Sequence, residues 1–238
     1  MHGLILAGGV GSRLAADGVT EPKPLVRIDG QPQLRRLCDT LDALGCESVT
    51  CMVRAGVPAH DVVGESTRRR VVACATPSSL HTLRLGFDAV PPGPVFCTMV
   101  DTVMSWDHWL AVWRACQSAL AHGATALLAV THPPERDQNP LYVQVDETGR
   151  ITTIGAMARE SGRPESSLVT AGVYGFGPAV RPLAARAVGR GMHRMREFLT
   201  SLTRDGQRVE TAYVERALDL DHRGDLDEAN AWAPAVTP

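Results

Sequence analysis

The chain reads as an α/β protein on a doubly wound mixed sheet, and three observations carry that reading. Its first two-thirds alternates short apolar runs with amphipathic stretches, the pattern that pairs strands in parallel across helices of about 10 to 15 residues. The first apolar run, Leu4-Ile5-Leu6, ends at glycines, as a buried strand feeding a turn does. From residue 141 the apolar residues alternate singly with polar ones, which adds an antiparallel hairpin to the parallel strands.

Each element follows from its local pattern. Residues 32–44 carry Leu34, Leu37, Leu41 and Leu44 on one helical stripe, closed by Gly45. Residues 48–53 and 71–74 are the next strands. Residues 79–89 form a helix with Leu80, Leu83 and Phe87 inward. Residues 94–100 form a strand leading into Asp101. A long helix over 106–121 turns Trp109, Val112, Trp113 and Leu120 to one side, and 124–131 is another buried strand. Residues 141–145 and 150–154 flank the turn Asp146-Glu147-Thr148-Gly149 as a small β-hairpin insertion. The segment 159–167 is polar and irregular. A strand over 171–176, helices near 179–188 and 194–203, a strand at 209–214 and a short C-terminal helix complete the chain.

The 238 residues suffice for one large domain. There is no internal repeat, low-complexity tract or linker, so a single domain over 1–238 is expected. Apolar content of 44% and charged content of 21% are ordinary. The net charge of -2 argues against a nucleic-acid partner, and Arg68-Arg69-Arg70 reads as a solvated helix end or strand entry. No apolar stretch reaches the roughly 18 residues of a membrane helix. The N-terminus lacks the basic and apolar regions of a signal peptide, so a cytoplasmic protein is expected. The 6 cysteines (38, 46, 51, 74, 97 and 116) include no Cys-x-x-Cys pair; they read as free, mostly buried thiols. The 8 histidines show no metal-binding spacing.

The chemistry is concentrated at the N-terminus. Leu6-Ala7-Gly8-Gly9-Val10-Gly11-Ser12-Arg13-Leu14 follows a strand. Consecutive glycines let backbone N–H groups line a concavity that suits phosphate. The turn is not the dinucleotide fingerprint, because Leu14 stands where a third glycine belongs. Nor is it a P-loop, because the lysine comes 12 residues after Gly11. Taken alone it is equally a plain strand-to-helix turn. The combination says more. Lys23 is the one lysine of the chain against 23 arginines, and it sits between Pro22 and Pro24. An ammonium is a compact point charge where a guanidinium is a planar fork, and flanking prolines stiffen its approach.

These pieces resemble the nucleotidyltransferase family that joins NTPs to sugar 1-phosphates and related phosphomonoesters. Its signature runs Leu-x-Gly-Gly-x-Gly-x-Arg-Leu, Pro-Lys-Pro-Leu, then Gly-x-Pro, matched by Leu6–Leu14, Pro22–Leu25 and Gly30-Gln31-Pro32. An aspartate after a central strand is matched by Asp101. A tyrosine strand and Gly-Arg-Ile hairpin are matched by Tyr142 and Gly149-Arg150-Ile151, and a Gly-x-Tyr-x-Phe strand by Gly172–Phe176. An Asp-x-Asp-x-x-x-Asp-Leu tail is matched by Asp219–Leu226. The resemblance implies a Rossmann-like, GT-A-like nucleotidyltransferase fold. It implies a nucleotide-binding part over about 1–130, an acceptor-binding part over about 131–216 and a metal segment with a helix over 217–238.

It also implies roles. Leu6, Ala7, Gly8, Gly9, Gly11 and Ser12 would hold the nucleotide, with Arg13 and Lys23 on its phosphates as catalytic residues. Ser78, Ser79 and Thr82 would lie at the nucleobase, although Ser78 or Ser79 is equally placed to cap the following helix. Asp101 and Asp221 would hold Mg²⁺, which prefers one or two carboxylates plus water and phosphate oxygens. Asp219 competes for the second position, since alternation puts it on the same face as Asp221. One departure stands out: sugar-phosphate members carry Glu-Lys-Pro after the hairpin, and here the stretch reads Ile154-Gly155-Ala156-Met157-Ala158-Arg159-Glu160. Without a second lysine, Arg159, Arg163 or Arg194 would have to hold the acceptor phosphate, with Tyr142 and Gly172 beside it. The expected partners are an NTP and a small phosphorylated acceptor, with no nucleic acid or membrane. Two alternatives stay open, a metal-dependent glycosyltransferase and a non-catalytic nucleotide sensor.

Overall fold

The first strand, β1 (His2–Ala7), is buried along its whole length, because both of its faces meet helices. Leu4 and Leu6 enter one apolar core and Ile5 and Ala7 the other. A strand flanked in this way reads as a continuous apolar run. The computed structural model describes residues 1–64, 66–133, 140–155, 167–235 and 237. After β1 come α1 (Ser12–Ala16), a single 3₁₀ turn (Lys23–Leu25), the two-residue strands β2 (Arg27–Ile28) and β3 (Gln31–Pro32), and α2 (Gln33–Ala43). Then follow β4 (Val49–Arg54), α3 (His60–Val63), β5 (Arg69–Cys74), α4 (Ser79–Ala89), β6 (Val95–Met99), β7 (Thr102–Val103), α5 (Trp106–Ala121) and β8 (Ala126–Thr131). The remainder is β9 (Tyr142–Val145), β10 (Ile151–Ile154), β11 (Leu168–Phe176), α6 (Val180–Gly189), α7 (Met195–Arg204), β12 (Val209–Tyr213), β13 (Leu218–Asp219) and α8 (Arg223–Trp232).

The main sheet runs β10-β9-β11-β6-β1-β4-β5, and β8 joins β11 to β12. Strands β5, β4, β1 and β6 are mutually parallel, and so are β8 and β12. β11 runs antiparallel to β6, β8 and β9, so the sheet is mixed as expected. The β9–β10 hairpin is joined to this sheet through Leu168 and Val169 of β11. Helices α2 and α5 cover one face, and α4, α6 and α7 cover the other. On the α5 side Trp113 meets Phe96 edge-on at 5.3 Å between ring centroids, a favoured aromatic geometry.

Other expectations meet specific outcomes. All six cysteines are free and buried. The arginine run is a strand entry, with Arg68 and Arg70 exposed, but Arg69 opens β5 with a buried side chain paired to Asp39 and Asp42. Among the described residues no helix is long and apolar enough to cross a membrane. The polar segment expected over 159–167 lies outside the described residues except for Ser167.

Candidate active site

The winding of the sheet reverses between β1 and β6. From β1 the chain proceeds outward through β4 and β5, then returns to β6 on the other side of β1. Open α/β sheets bind ligands at such a point, beyond the carboxyl ends of the strands. Leu6 pairs with Met99, and the Val100 amide donates to the Leu6 carbonyl at 3.1 Å. The glycine turn and Asp101 therefore leave the sheet side by side.

A small third core sets the remaining geometry. Leu14, Val26, Ile28, Val103, Leu220 and Ala229 are buried against one another. Leu14 carries Arg13 as its neighbour, and Leu220 carries Asp221, so burying the apolar residues delivers the charged ones. The two-residue strands β7 and β13 pair antiparallel, and the Leu220 amide donates to the Asp101 carbonyl at 3.0 Å. That short ribbon places residue 221 opposite residue 101. Gln33 fixes it from below, its buried Nε2 donating to the Thr102 carbonyl at 2.8 Å. Gly11 caps α1 at a φ of 67°, a left-handed conformation that glycine adopts without penalty. A Cβ there would also lie 3.4 Å from the Lys23 Cβ, so the turn and the lysine segment are in contact.

Four charges meet at this point. The Lys23 Nζ donates to Asp101 Oδ2 at 3.0 Å and to Asp221 Oδ1 at 2.8 Å. Arg13 Nη1 donates to Asp221 Oδ2. Burial works against the Lys23 ammonium, but the charges of Asp101 and Asp221 outweigh it and hold the group above its ordinary pKa. Burial likewise opposes the Asp221 carboxylate, and Lys23 followed by Arg13 pulls it below the ordinary aspartate value. Lys23 is enclosed, with 11% of its side chain exposed, whereas 48% of Arg13 is open to solvent. The quartet thus has an inner ammonium and an outer guanidinium. Behind it, the Asp225 carboxylate accepts the Asp221 and His222 amides at 3.0 and 2.6 Å. Asp17, at the end of α1, faces His222 Nδ1 at 2.9 Å and accepts the Arg223 amide at 3.1 Å. These contacts lock the tail to the helix that bears Arg13.

The phosphate and base sides differ in finish. A Cβ on Gly9 would meet nothing within 4 Å, so the turn opens to solvent there. Gly8 lies against Thr82, whose Oγ1 would be 3.0 Å from an added Cβ. This brings the start of α4 up to the glycine turn. Ser78 caps α4, and its hydroxyl also donates to the His193 carbonyl. The Ser79 hydroxyl accepts the Met195 amide at 3.1 Å. Both serines thereby tie the start of α7 to the start of α4, and Ser78 serves as the helix cap. The rings of His81 and His193 lie 5.4 Å apart across the same junction.

On the acceptor side, Tyr142 is half-buried at the start of β9 and pairs with Val169. Gly172 lies where β11 exchanges its partner β9 for β6 and slips its register with β8. Its φ is 72°, and a Cβ would come within 2.2 Å of Thr102 Oγ1, so only glycine fits beside the Asp101–Thr102 segment. Arg194 is exposed immediately before α7; its amide and that of His193 donate to Glu197 at 3.1 and 2.9 Å. Arg159 and Arg163 lie outside the described residues. Asp219, Asp221's competitor, closes β13 and lies near enough to Tyr174 to help burial push that phenol up. Asp221 is the one whose carboxylate bridges Lys23 and Arg13.

Sequence reasoning overlooked Gln33, Asp17 and the Ser79–Met195 link. Gln33 follows directly on Gly30-Gln31-Pro32, a buried polar residue at the head of an apolar helix, and that was a readable sign. Asp17 and Met195 carried no local sign, since their partners lie more than a hundred residues away.

The donor set can be tested against the implied metal. Asp101 Oδ2 and Asp221 Oδ1 converge on one cation within 3.0 Å. No group of three or more His, Cys, Asp or Glu side chains suited to a metal occurs among the described residues. Two convergent carboxylates with an open side fit Mg²⁺, which completes its shell with water and phosphate oxygens; they do not fit a structural zinc site.

Comparison with known proteins gives a family and a fold. A family model described as MobA-like NTP transferase domain matches residues 3–173. The probable mannose-1-phosphate guanylyltransferase 2 of Arabidopsis thaliana is 26% identical over 198 residues, which is 76% of this chain and 51% of that protein. The chain thus spans about half the length of this curated relative. The inositol-1-phosphate CTP transferase from T. maritima superposes with a TM-score of 0.78 at 19% identity, covering 98% of this chain and 95% of the other. A UDP-glucose pyrophosphorylase complexed with UDP-glucose superposes with a TM-score of 0.77 at 14% identity, covering 97% of each chain. At these identities the likeness is one of fold.

Proposed function

The chain belongs to the MobA-like NTP transferase domain family, and from that premise we propose that it transfers a nucleoside monophosphate from an NTP to a sugar 1-phosphate or related phosphomonoester. The observation that carries the reading is the convergence of Lys23, Arg13, Asp101 and Asp221 at the β1–β6 switch point. An acceptor phosphate oxygen forms a new bond to the α-phosphorus of the NTP. The bond from that phosphorus to the oxygen bridging the α and β positions breaks, and pyrophosphate leaves with its electron pair. No enzyme nucleophile is needed, because the acceptor phosphate already carries the attacking oxygen. The protein supplies position and charge.

The residues divide this work. Amides of the Gly8–Gly11 turn and the exposed Arg13 hold the outer phosphates. The Lys23 ammonium, fixed between rigid prolines, offsets charge growing around the α-phosphorus. Asp101 and Asp221 would hold Mg²⁺, which would neutralise phosphate charge when bound. Gly8, Thr82 and the start of α4 border the nucleobase. Tyr142 and Gly172 border the acceptor, and Arg159, Arg163 or Arg194 takes the part that a second lysine plays in sugar-phosphate enzymes. Nucleotide, acceptor and metal segments then fall at about 1–130, 131–216 and 217–238 of one domain.

The relatives support the substrate class: a guanylyltransferase for mannose-1-phosphate, a CTP transferase for inositol-1-phosphate and a UDP-glucose pyrophosphorylase each join a nucleotide to a sugar or polyol phosphate. The test is pyrophosphate release over the four NTPs and a panel of sugar and polyol phosphates, with and without Mg²⁺. Release dependent on one NTP and one acceptor is expected. Sugar transfer from an NDP-sugar with release of free NDP, and no pyrophosphate, would replace this reading with a glycosyltransferase.

A further inference from the structure

We propose that Lys23 and Arg13 are displaceable counter-ions that couple divalent-cation binding at Asp101 and Asp221 to nucleotide binding, so that the site takes metal and triphosphate together and metal alone poorly. This rests on the nucleotidyltransferase reading above. Three carboxylate oxygens aimed at the site are already paired: Asp101 Oδ2 and Asp221 Oδ1 with Lys23, and Asp221 Oδ2 with Arg13. The quartet carries two positive and two negative charges and is formally neutral. A divalent ion bound to oxygen at about 2.1 Å must enter where the Lys23 ammonium stands 2.8 and 3.0 Å from the same oxygens. Metal alone must therefore break ion pairs and bring two more positive charges against Lys23 and Arg13.

A triphosphate changes that balance. Its anionic oxygens can accept Lys23 and Arg13, and the carboxylates are then released to the metal. The two cations suit this exchange in different ways. Lys23 is a point charge on a flexible stem, so it can turn from carboxylate to phosphate without losing a fork geometry. Arg13 is half-exposed and its pair with Asp221 opens at small cost. Linkage then requires the reverse effect: metal raises nucleotide affinity by the same factor as nucleotide raises metal affinity.

The experiment is titration of the purified full chain with Mn²⁺ alone, followed by electron paramagnetic resonance. It is repeated with a non-hydrolysable α,β-methylene analogue of the NTP chosen by the pyrophosphate assay. In the wild type the analogue should tighten Mn²⁺ binding by at least about tenfold. Lys23→Gln and Arg13→Gln should each bind Mn²⁺ alone several-fold tighter than wild type, with a smaller gain from the analogue. Asp221→Asn should lose Mn²⁺ binding. Arg13 lies half in solvent, so Arg13→Gln keeps the test open if Lys23→Gln fails to fold. If neither glutamine variant binds Mn²⁺ alone more tightly, the counter-ion role is overturned. If the analogue binds and leaves Mn²⁺ affinity unchanged, the coupling is overturned while the nucleotidyltransferase reading stands. If no analogue binds and no NTP releases pyrophosphate, both fall.

Discussion

Two clusters of basic and acidic side chains occupy opposite edges of the parallel strands, and they are built differently. At the amino edge, Arg69 at the start of β5 donates to Asp39 at 2.6 Å, to Asp42 at 2.8 Å and to the Val63 carbonyl at 2.6 Å. Arg35 and Gln31 add two more donors to Asp39, each at 2.9 Å. At the carboxyl edge the central cation is Lys23, shared by Asp101 and Asp221. The guanidinium holds its partners in fixed directions, 8% exposed and anchored to backbone. The ammonium is held by hydrogen bonds to two carboxylates, and as a point charge it can turn to another anion that reaches it. On the proposal above, the single lysine among 23 arginines stands where a partner is to be exchanged, and Arg69 stands where none is.

Substitutions should separate the two clusters. The largest effect is expected from Lys23→Arg, which keeps the charge and changes its shape. Turnover in the pyrophosphate assay should fall by about 100-fold or more, with little change in melting temperature. Near-normal turnover would refute a role for the point charge. Asp221→Asn should raise the Mg²⁺ concentration for half-maximal activity by at least about tenfold, and Asp219→Asn should raise it less; the reverse order would transfer the metal role to Asp219. Arg69→Leu should do the opposite of Lys23→Arg. It leaves Asp39 and Asp42 without their shared donor and should cost about 3 kcal/mol in urea unfolding, while turnover of the folded enzyme stays within about twofold.

The smallest effect is in pH. Asp221 is held below the ordinary aspartate value of 3.8. Its contribution to stability is therefore complete above that value and is lost as pH falls through the depressed one. Lys23 is held above its ordinary 10.5, so its contribution is complete below 10.5 and lost as pH rises beyond it. Asp221 and Lys23 should thus both be charged across the neutral range. The stability gap between wild type and Asp221→Asn should be flat there and close only below pH 3.8, as read by urea unfolding at stepped pH. A gap that closes near neutrality would show that Asp221 is not held by these cations.

Where two cations and a glycine turn lie within about twenty residues, sequence spacing alone could relate them, and Gly8–Gly11, Arg13 and Lys23 do converge. The long helices and buried strands were legible for the same reason: their apolar periods extend over several turns or pleats, as along α5 and β8. The strands β7 and β13 have two residues each, too few for any period to show, yet their pairing is what sets Asp221 against Asp101. Ser78 and Ser79 have the composition of a base-binding segment, but their hydroxyls hold the start of α7, and that partner is invisible in the local pattern.

The sequence by itself determined the α/β layering, the glycine turn and the placing of its single lysine, because each is written in contacts a few residues apart. Only the tertiary structure decided that Asp221 and not Asp219 meets Lys23, that the β9–β10 hairpin extends the main sheet, and that Gly172 must make room for Thr102. Those outcomes depend on pairing between segments far apart in the chain, from Val143 with Leu168 to Lys23 with Asp221, or on a close approach that leaves no room for a side chain. Burial of the Leu14–Val103–Leu220 core fixes such distances, and no local preference records them.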